Sequence, residues 1–243
     1  MNRIPSSARP GLATVLLLSL IVGIEGKAED ENDPHRPPCT SARCKKIQSF
    51  LKARYCGESP FGNGPDDGCD LRMLKGTAND VKVIADFQCQ WNEKDGQAKC
   101  EQRGQPPAEV RNLLLGELRR LGLRAKSDQE LRFDVLESKS SGWTVAKANY
   151  SHVAGVGLTE CEVILAISRD SQIRVLREVR LHKTNTDVAE GTSWSPLDLA
   201  DADGDGQIDI ILEGGAYENH WLEVDSLQDG KFKTIFSGLG YYL

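Results

Sequence analysis

Between residues 131 and 236 the chain is cut into short segments whose apolar side chains recur at every second position, and nothing else in it narrows the possible folds as much. The segments are 131–137, 143–150, 161–168, 173–181, 208–213, 221–225 and 232–236. Side chains at i and i+2 point to the same side of an extended backbone, so each segment predicts a strand with a face to bury. Ser140-Ser141-Gly142, Arg169-Asp170-Ser171 and Gln228-Asp229-Gly230 supply turns between them. No helical period interrupts the run, and strands joined by tight turns pair antiparallel. Residues 127–243 are therefore expected to form an antiparallel β-meander.

The first half is organised by cysteine. Of seven cysteines, six lie between Cys39 and Cys100, and no two are spaced C-x-x-C, which argues for disulfides over zinc or thiol exchange. Thr40 or Ser41 can cap a helix carrying Cys44, Ile47, Leu51 and Tyr55 on one side. Val81, Val83, Ala85, Phe87, Cys89 and Trp91 then alternate as a strand does, and Asp95-Gly96 is a hairpin dipeptide. That hairpin sets Cys89 against Cys100, so a bond between them is expected, while Cys39, Cys44, Cys56 and Cys69 leave three pairings open. Pro106-Pro107 opens a second helix with Val110, Leu113, Leu114, Leu118 and Leu121 on one face and Gly122 at its end. Its Arg111, Arg119 and Arg120 read as a solvated face. Residues 39–126 are thus a cysteine-rich α+β part, and Cys161, alone in an apolar run, reads as a structural cysteine.

The amino end has Arg3 and Arg9, an apolar run over 12–24, and small residues ending Gly26-Lys27-Ala28. This is the layout of a secretory signal peptide at 1–28, cleaved near Ala28, and the run falls short of the ~20 residues of a membrane-spanning helix. Residues 29–38, acidic and proline-rich, read as a disordered linker. A secreted or periplasmic protein with no stable membrane span in its mature chain is expected. The net charge is −6, and positions 1–28 carry +2 of it, leaving the remainder still more acidic. Such a chain is a poor partner for the phosphate backbone of nucleic acid.

Chemistry concentrates in Asp201-Ala202-Asp203-Gly204-Asp205-Gly206-Gln207-Ile208-Asp209. Calcium takes six to eight oxygen ligands, and a loop can offer side chains at positions 1, 3 and 5, a carbonyl at 7 and a carboxylate at 9. Asp201, Asp203, Asp205, the Gln207 carbonyl and Asp209 fill those places. An EF-hand needs a bidentate carboxylate at position 12, where this chain has Leu212. Leu197 and Leu199 before the loop, and Ile208, Ile210 and Leu212 after it, alternate as strands. Over about twenty residues, from Ser195 to Glu213, the D-x-D-G-D-G-x-x-D pattern running into an apolar strand resembles the calcium loops of FG-GAP or VCBS-type repeats. Several such repeats build a β-propeller; one copy implies a single blade-like sheet with one Ca2+ in a structural role.

The expected fold class is accordingly α+β: a disulfide-stapled N-terminal part with two helices and a hairpin, then an antiparallel β-meander bearing one calcium loop. Two other polar groups stand out. Asp66, Asp67 and Asp70 sit among glycines without a ligand spacing and read as a solvated turn. Glu213, Tyr217, Glu218, His220 and Trp221 bring an acid, an imidazole and aromatics together, as an acid/base pair or a carbohydrate edge would, although a hairpin tip with packed aromatics uses the same residues. No G-x-S-x-G, H-E-x-x-H or glycine-rich phosphate loop occurs. The chain reads as an exported, non-enzymatic calcium-binding module with a protein or glycan partner. The alternative is a hydrolase of an extracellular polymer using Glu213, Glu218 and His220.

Overall fold

In the computed structural model of the chain, the described residues are 39–57, 70–71, 75–78, 80–92, 97–125, 127, 130–154, 157–183, 192–216 and 219–242. The segment read as a signal peptide at 1–28, the one read as a linker at 29–38, Asp66, Asp67, Cys69, Asp95-Gly96, Tyr217 and Glu218 lie outside them.

Helix α1 (Ala42–Tyr55) starts where the Ser41 Oγ accepts the Cys44 N–H at 3.0 Å, which satisfies one of the donors every helix start leaves open. Ile47, Leu51 and Tyr55, four residues apart, are fully buried, and removing each such side chain from water stabilises the fold by about 1.5–3 kcal/mol. Helix α2 (Ala108–Arg120) begins after Pro106-Pro107, buries Leu114 and Leu118, and ends before Gly122 at φ +82°.

The remaining elements are strands. β1 (Cys56–Gly57) and β2 (Asp70–Leu71) form a short pair. A six-stranded sheet, in the order β4-β3-β5-β6-β7-β8, is made from β3 (Val81–Asn92), β4 (Gln97–Gly104), β5 (Leu131–Ser138), β6 (Thr144–Ala154), β7 (Gly157–Ile167) and β8 (Ile173–Lys183). A four-stranded sheet, in the order β12-β11-β10-β9, is made from β9 (Ser193–Ala200), β10 (Asp209–Ala216), β11 (Asn219–Gln228) and β12 (Lys231–Tyr242). Every pairing is antiparallel.

These elements stack as four layers with three cores between them. Ile47, Leu51 and Tyr55 of α1 pack on Leu197, Ile211, Leu222 and Val224 of the four-stranded sheet. That sheet turns Leu199, Ile210 and Leu212 to Leu136, Val145, Ile164 and Ala166 of the six-stranded sheet. On the far side, Val135, Ala146, Val163 and Leu165 meet Leu114 and Leu118 of α2. Central strands are thus covered on both faces, which is why Val163-Ile164-Leu165-Ala166 and Ile210-Ile211-Leu212 are unbroken apolar runs. Charged side chains join the two sheets as well. Glu162, paired with Lys147 at 2.8 Å, accepts the Trp194 N–H at 3.1 Å from the other sheet. Arg177 reaches across to Glu223 at 2.7 Å and to Asp225 at 2.9 Å.

This architecture corrects the expected fold class. The protein is mostly β, with two antiparallel sheets and two helices among the described residues, and it is not an α+β protein with a separate stapled part. The hairpin assigned to residues 39–126 is the edge of the large sheet: β3 pairs along β5 from Val81↔Ser138 to Ala85↔Val135 and fills an edge that would otherwise be open. The second half divides between two sheets instead of forming one meander. Helix α1, from the first half, covers the sheet of the last. The cause is burial, since each sheet has two apolar faces and each helix supplies one cover.

Cys39 is bonded to Cys44, and Cys89 to Cys100, its direct cross-strand neighbour in the hairpin. Cys56 is also disulfide-bonded, and Cys161 is a buried thiol on β7. Disulfides, together with no helix among the described residues long and apolar enough to cross a membrane, are compatible with an extracellular or periplasmic location.

Candidate metal centre

The acidic loop joins edge strand β9 to β10, and a bulge sets up its approach. Along β10, Ile211 pairs with Asp198 but Leu212 pairs with Pro196, so Leu197 is an extra residue in β9. A proline, which has no N–H to donate, is tolerated at such an edge bulge. The bulge lets Leu197 and the Asp198 carboxylate both serve the α1 side: Leu197 packs in that core and Asp198 Oδ2 accepts the Tyr55 hydroxyl at 2.8 Å.

Beyond Ala200 the chain curls on itself. Asp201 accepts two backbone N–H groups, Asp205 on Oδ1 and Gly206 on Oδ2, both at 3.0 Å. Asp203 Oδ1 accepts the Asp205 N–H at 3.0 Å, and Asp205 Oδ1 accepts the Gln207 N–H at 2.8 Å. Gly204 and Gly206 have φ of +71° and +87°, a left-handed backbone that a side chain would strain, and these two residues make the reversal possible. Asp209 then enters β10 fully buried, with Oδ2 accepting the Ala202 N–H at 2.9 Å.

The curl brings together a carboxylate oxygen from each of Asp201, Asp203 and Asp209, all within 4.8 Å of one another. Asp205 and Gln207 belong to the same loop but stand exposed, with Asp205 outside that trio. Asp209 Oδ1 is buried with no hydrogen-bond partner among the described residues. Burial pushes the Asp209 carboxyl up to about 6; hydrogen bonds from Ser226 and the Ala202 N–H oppose this, and the charges of Asp203 and Asp205 add to it. Three gathered carboxylates, one of them buried with an orphaned oxygen, are a donor set that would suit a hard divalent cation such as Ca2+.

Two cationic side chains of α1 lie over the loop. Arg43 donates from Nε to Asp203 Oδ2 at 2.5 Å, pairs with the same oxygen through Nη2, and stands 3.9 Å from Asp205 Oδ2. Lys46, one turn further, lies across Gly204 so closely that a Cβ there would overlap its ammonium group. Sequence spacing could not reveal Arg43, because it meets Asp203 across 160 residues. Asp198 did leave a signal: a carboxylate between Leu197 and Leu199 in an apolar strand is out of place unless it is anchored. Lys75, in contact with both Asp86 and Asp134, left none.

Of the second acidic group, Glu213 and His220 come together: His220 Nδ1 lies 2.7 Å from Glu213 Oε1. That hydrogen bond raises the imidazole pKa, and partial burial opposes the rise. Glu213 is buried on β10, while Trp221 turns to the other side of β11 and donates to Glu223 at 3.0 Å.

No family model, curated protein or solved structure matches the chain.

Proposed function

We propose that the protein is exported through the signal peptide at 1–28 and acts as a non-enzymatic interaction module for a protein or glycan, with one Ca2+ in the 201–209 loop as a structural clamp. The resemblance to FG-GAP or VCBS-type loops belongs to this reading. The observation that carries it is Asp209, buried with one oxygen lacking a hydrogen-bond partner among the described residues, whose carboxylate gathers with those of Asp201 and Asp203. Asp201, Asp203 and Asp209 would hold the ion, and its charge would offset the burial of Asp209. The loop closes β9 onto β10, so an ion there would tie the two strands together. Calcium is expected to raise the melting temperature, and Asp203→Ala combined with Asp205→Ala to abolish the rise. Identical melting curves with calcium and with chelator would overturn the reading.

The Glu213–His220 hydrogen bond favours a second reading, hydrolysis of an extracellular polymer. Release of soluble sugars or peptides from a polymer panel by the wild type, lost in His220→Gln, would establish it. No release by the wild type would remove it.

A further inference from the structure

We infer that Arg43 is an internal competitor for the cation at the acidic loop, so that ion binding and the docking of the first turn of α1 oppose each other. The inference rests on the calcium reading above. Asp203 is 6% exposed, and both its oxygens are engaged: Oδ1 by the Asp205 N–H at 3.0 Å, Oδ2 by Nε and Nη2 of Arg43. Asp209 Oδ1, by contrast, has no hydrogen-bond partner among the described residues. One ligand is therefore ready, and another is already neutralised by a guanidinium.

A divalent ion drawing on Asp203 would stand within a few ångströms of that guanidinium, and like charges repel strongly where water is thin. Lys46 adds a second positive charge over Gly204. Relief is open to Arg43, whose side chain is 45% exposed and can swing into solvent. Ion binding then proceeds by exchange: the ion takes Asp203, and Arg43 leaves. Exchange lowers the apparent affinity, and by linkage the ion loosens the start of α1 to the same extent. Had Arg43 instead held Asp203 ready for the ion, its removal would weaken binding, so the two roles predict opposite signs.

Calcium is titrated calorimetrically into the wild type, Arg43→Gln and Arg43→Lys, each checked for folding by circular dichroism. Arg43→Gln is expected to bind about tenfold more tightly than the wild type, a typical size for coupling between sites. Arg43→Lys should fall between them, because an ammonium keeps the charge but loses the fork. In the wild type, calcium should also speed hydrogen exchange of amides 43–46, and it should leave Arg43→Gln unaffected. Equal or weaker binding by Arg43→Gln overturns the competition while the calcium reading stands. No binding by any folded variant overturns both.

Discussion

The Tyr55 hydroxyl donates to Asp198 Oδ2 at 2.8 Å, joining the end of α1 to the bulge of β9 across 143 residues of sequence. The same oxygen accepts Thr77 Oγ1 at 2.5 Å, the Thr77 N–H at 3.1 Å and the Ala78 N–H at 3.0 Å, while Oδ1 accepts the Leu199 N–H at 2.9 Å. One fully buried carboxylate thus fastens a helix, a connecting segment and an edge strand. Asp198→Ala strands several buried donors and is expected to destabilise the fold by about 3 kcal/mol or more. Tyr55→Phe removes one donor and leaves the acceptor served, so a loss of about 1 kcal/mol is expected. Urea midpoints measure both, with unchanged slopes showing that only stability moved.

The Lys147–Glu162 pair makes a different expectation. The two side chains are 7% and 8% exposed, and Glu162 also accepts from Asn149 and from the Trp194 backbone. Lys147→Met leaves a buried carboxylate short of its cation, and a loss of about 3 kcal/mol is expected; Glu162→Gln strands the ammonium with a similar effect. Joining the two changes should cost well under their sum, because neither then leaves an unpaired charge. A double-mutant cycle in denaturant reads the difference, and strict additivity would show that the pair does not interact.

Local elements were legible in the sequence because their determinants are local. The Ser41 cap, the Ile47-Leu51-Tyr55 stripe and the run of alternating segments each state a backbone period directly. The layering was not legible. The alternation of Ile208, Ile210 and Leu212 marks one face of the strand, and it does not say that α1 will dock on the other and bury Ile211. Likewise, nothing in the Val81 or Val83 positions says that β3 will extend the sheet of β5, since edge pairing is decided by which edge lies open. The acidic loop was legible as a ligand spacing, yet the division of its carboxylates was not. Asp209 is buried by the sheet and Asp205 stands in solvent, although the spacing treats them alike.

His220 makes stability depend on pH. Its hydrogen bond to Glu213 raises the imidazole pKa in the folded state above the ordinary histidine value, ~6.5. A raised histidine favours the folded form fully below the unfolded-state value, and that contribution is lost as pH climbs through the folded-state value. As pH rises from about 6.5 the wild type is expected to lose this contribution, a modest one because the ring is partly exposed. Glu213→Gln should flatten the slope over this rise, as read from urea midpoints at each pH. An unchanged slope would show that the dependence arises elsewhere.

Asp209→Asn separates stability from ion binding at one atom pair. The amide keeps an oxygen able to accept the Ala202 N–H and removes a buried negative charge that lies close to Asp203 and Asp205. Without calcium the variant should therefore be more stable than the wild type, by about 1 kcal/mol, since relieving like-charge burial acts in the folded state alone. With calcium the order should reverse, because the orphan oxygen that would meet the ion has become an amide group and the wild type alone gains from binding. Melting curves of both proteins in chelator and in excess calcium test for the crossing. A variant less stable in both conditions would mean that Asp209 acts as a hydrogen-bond acceptor only, with no ion to serve.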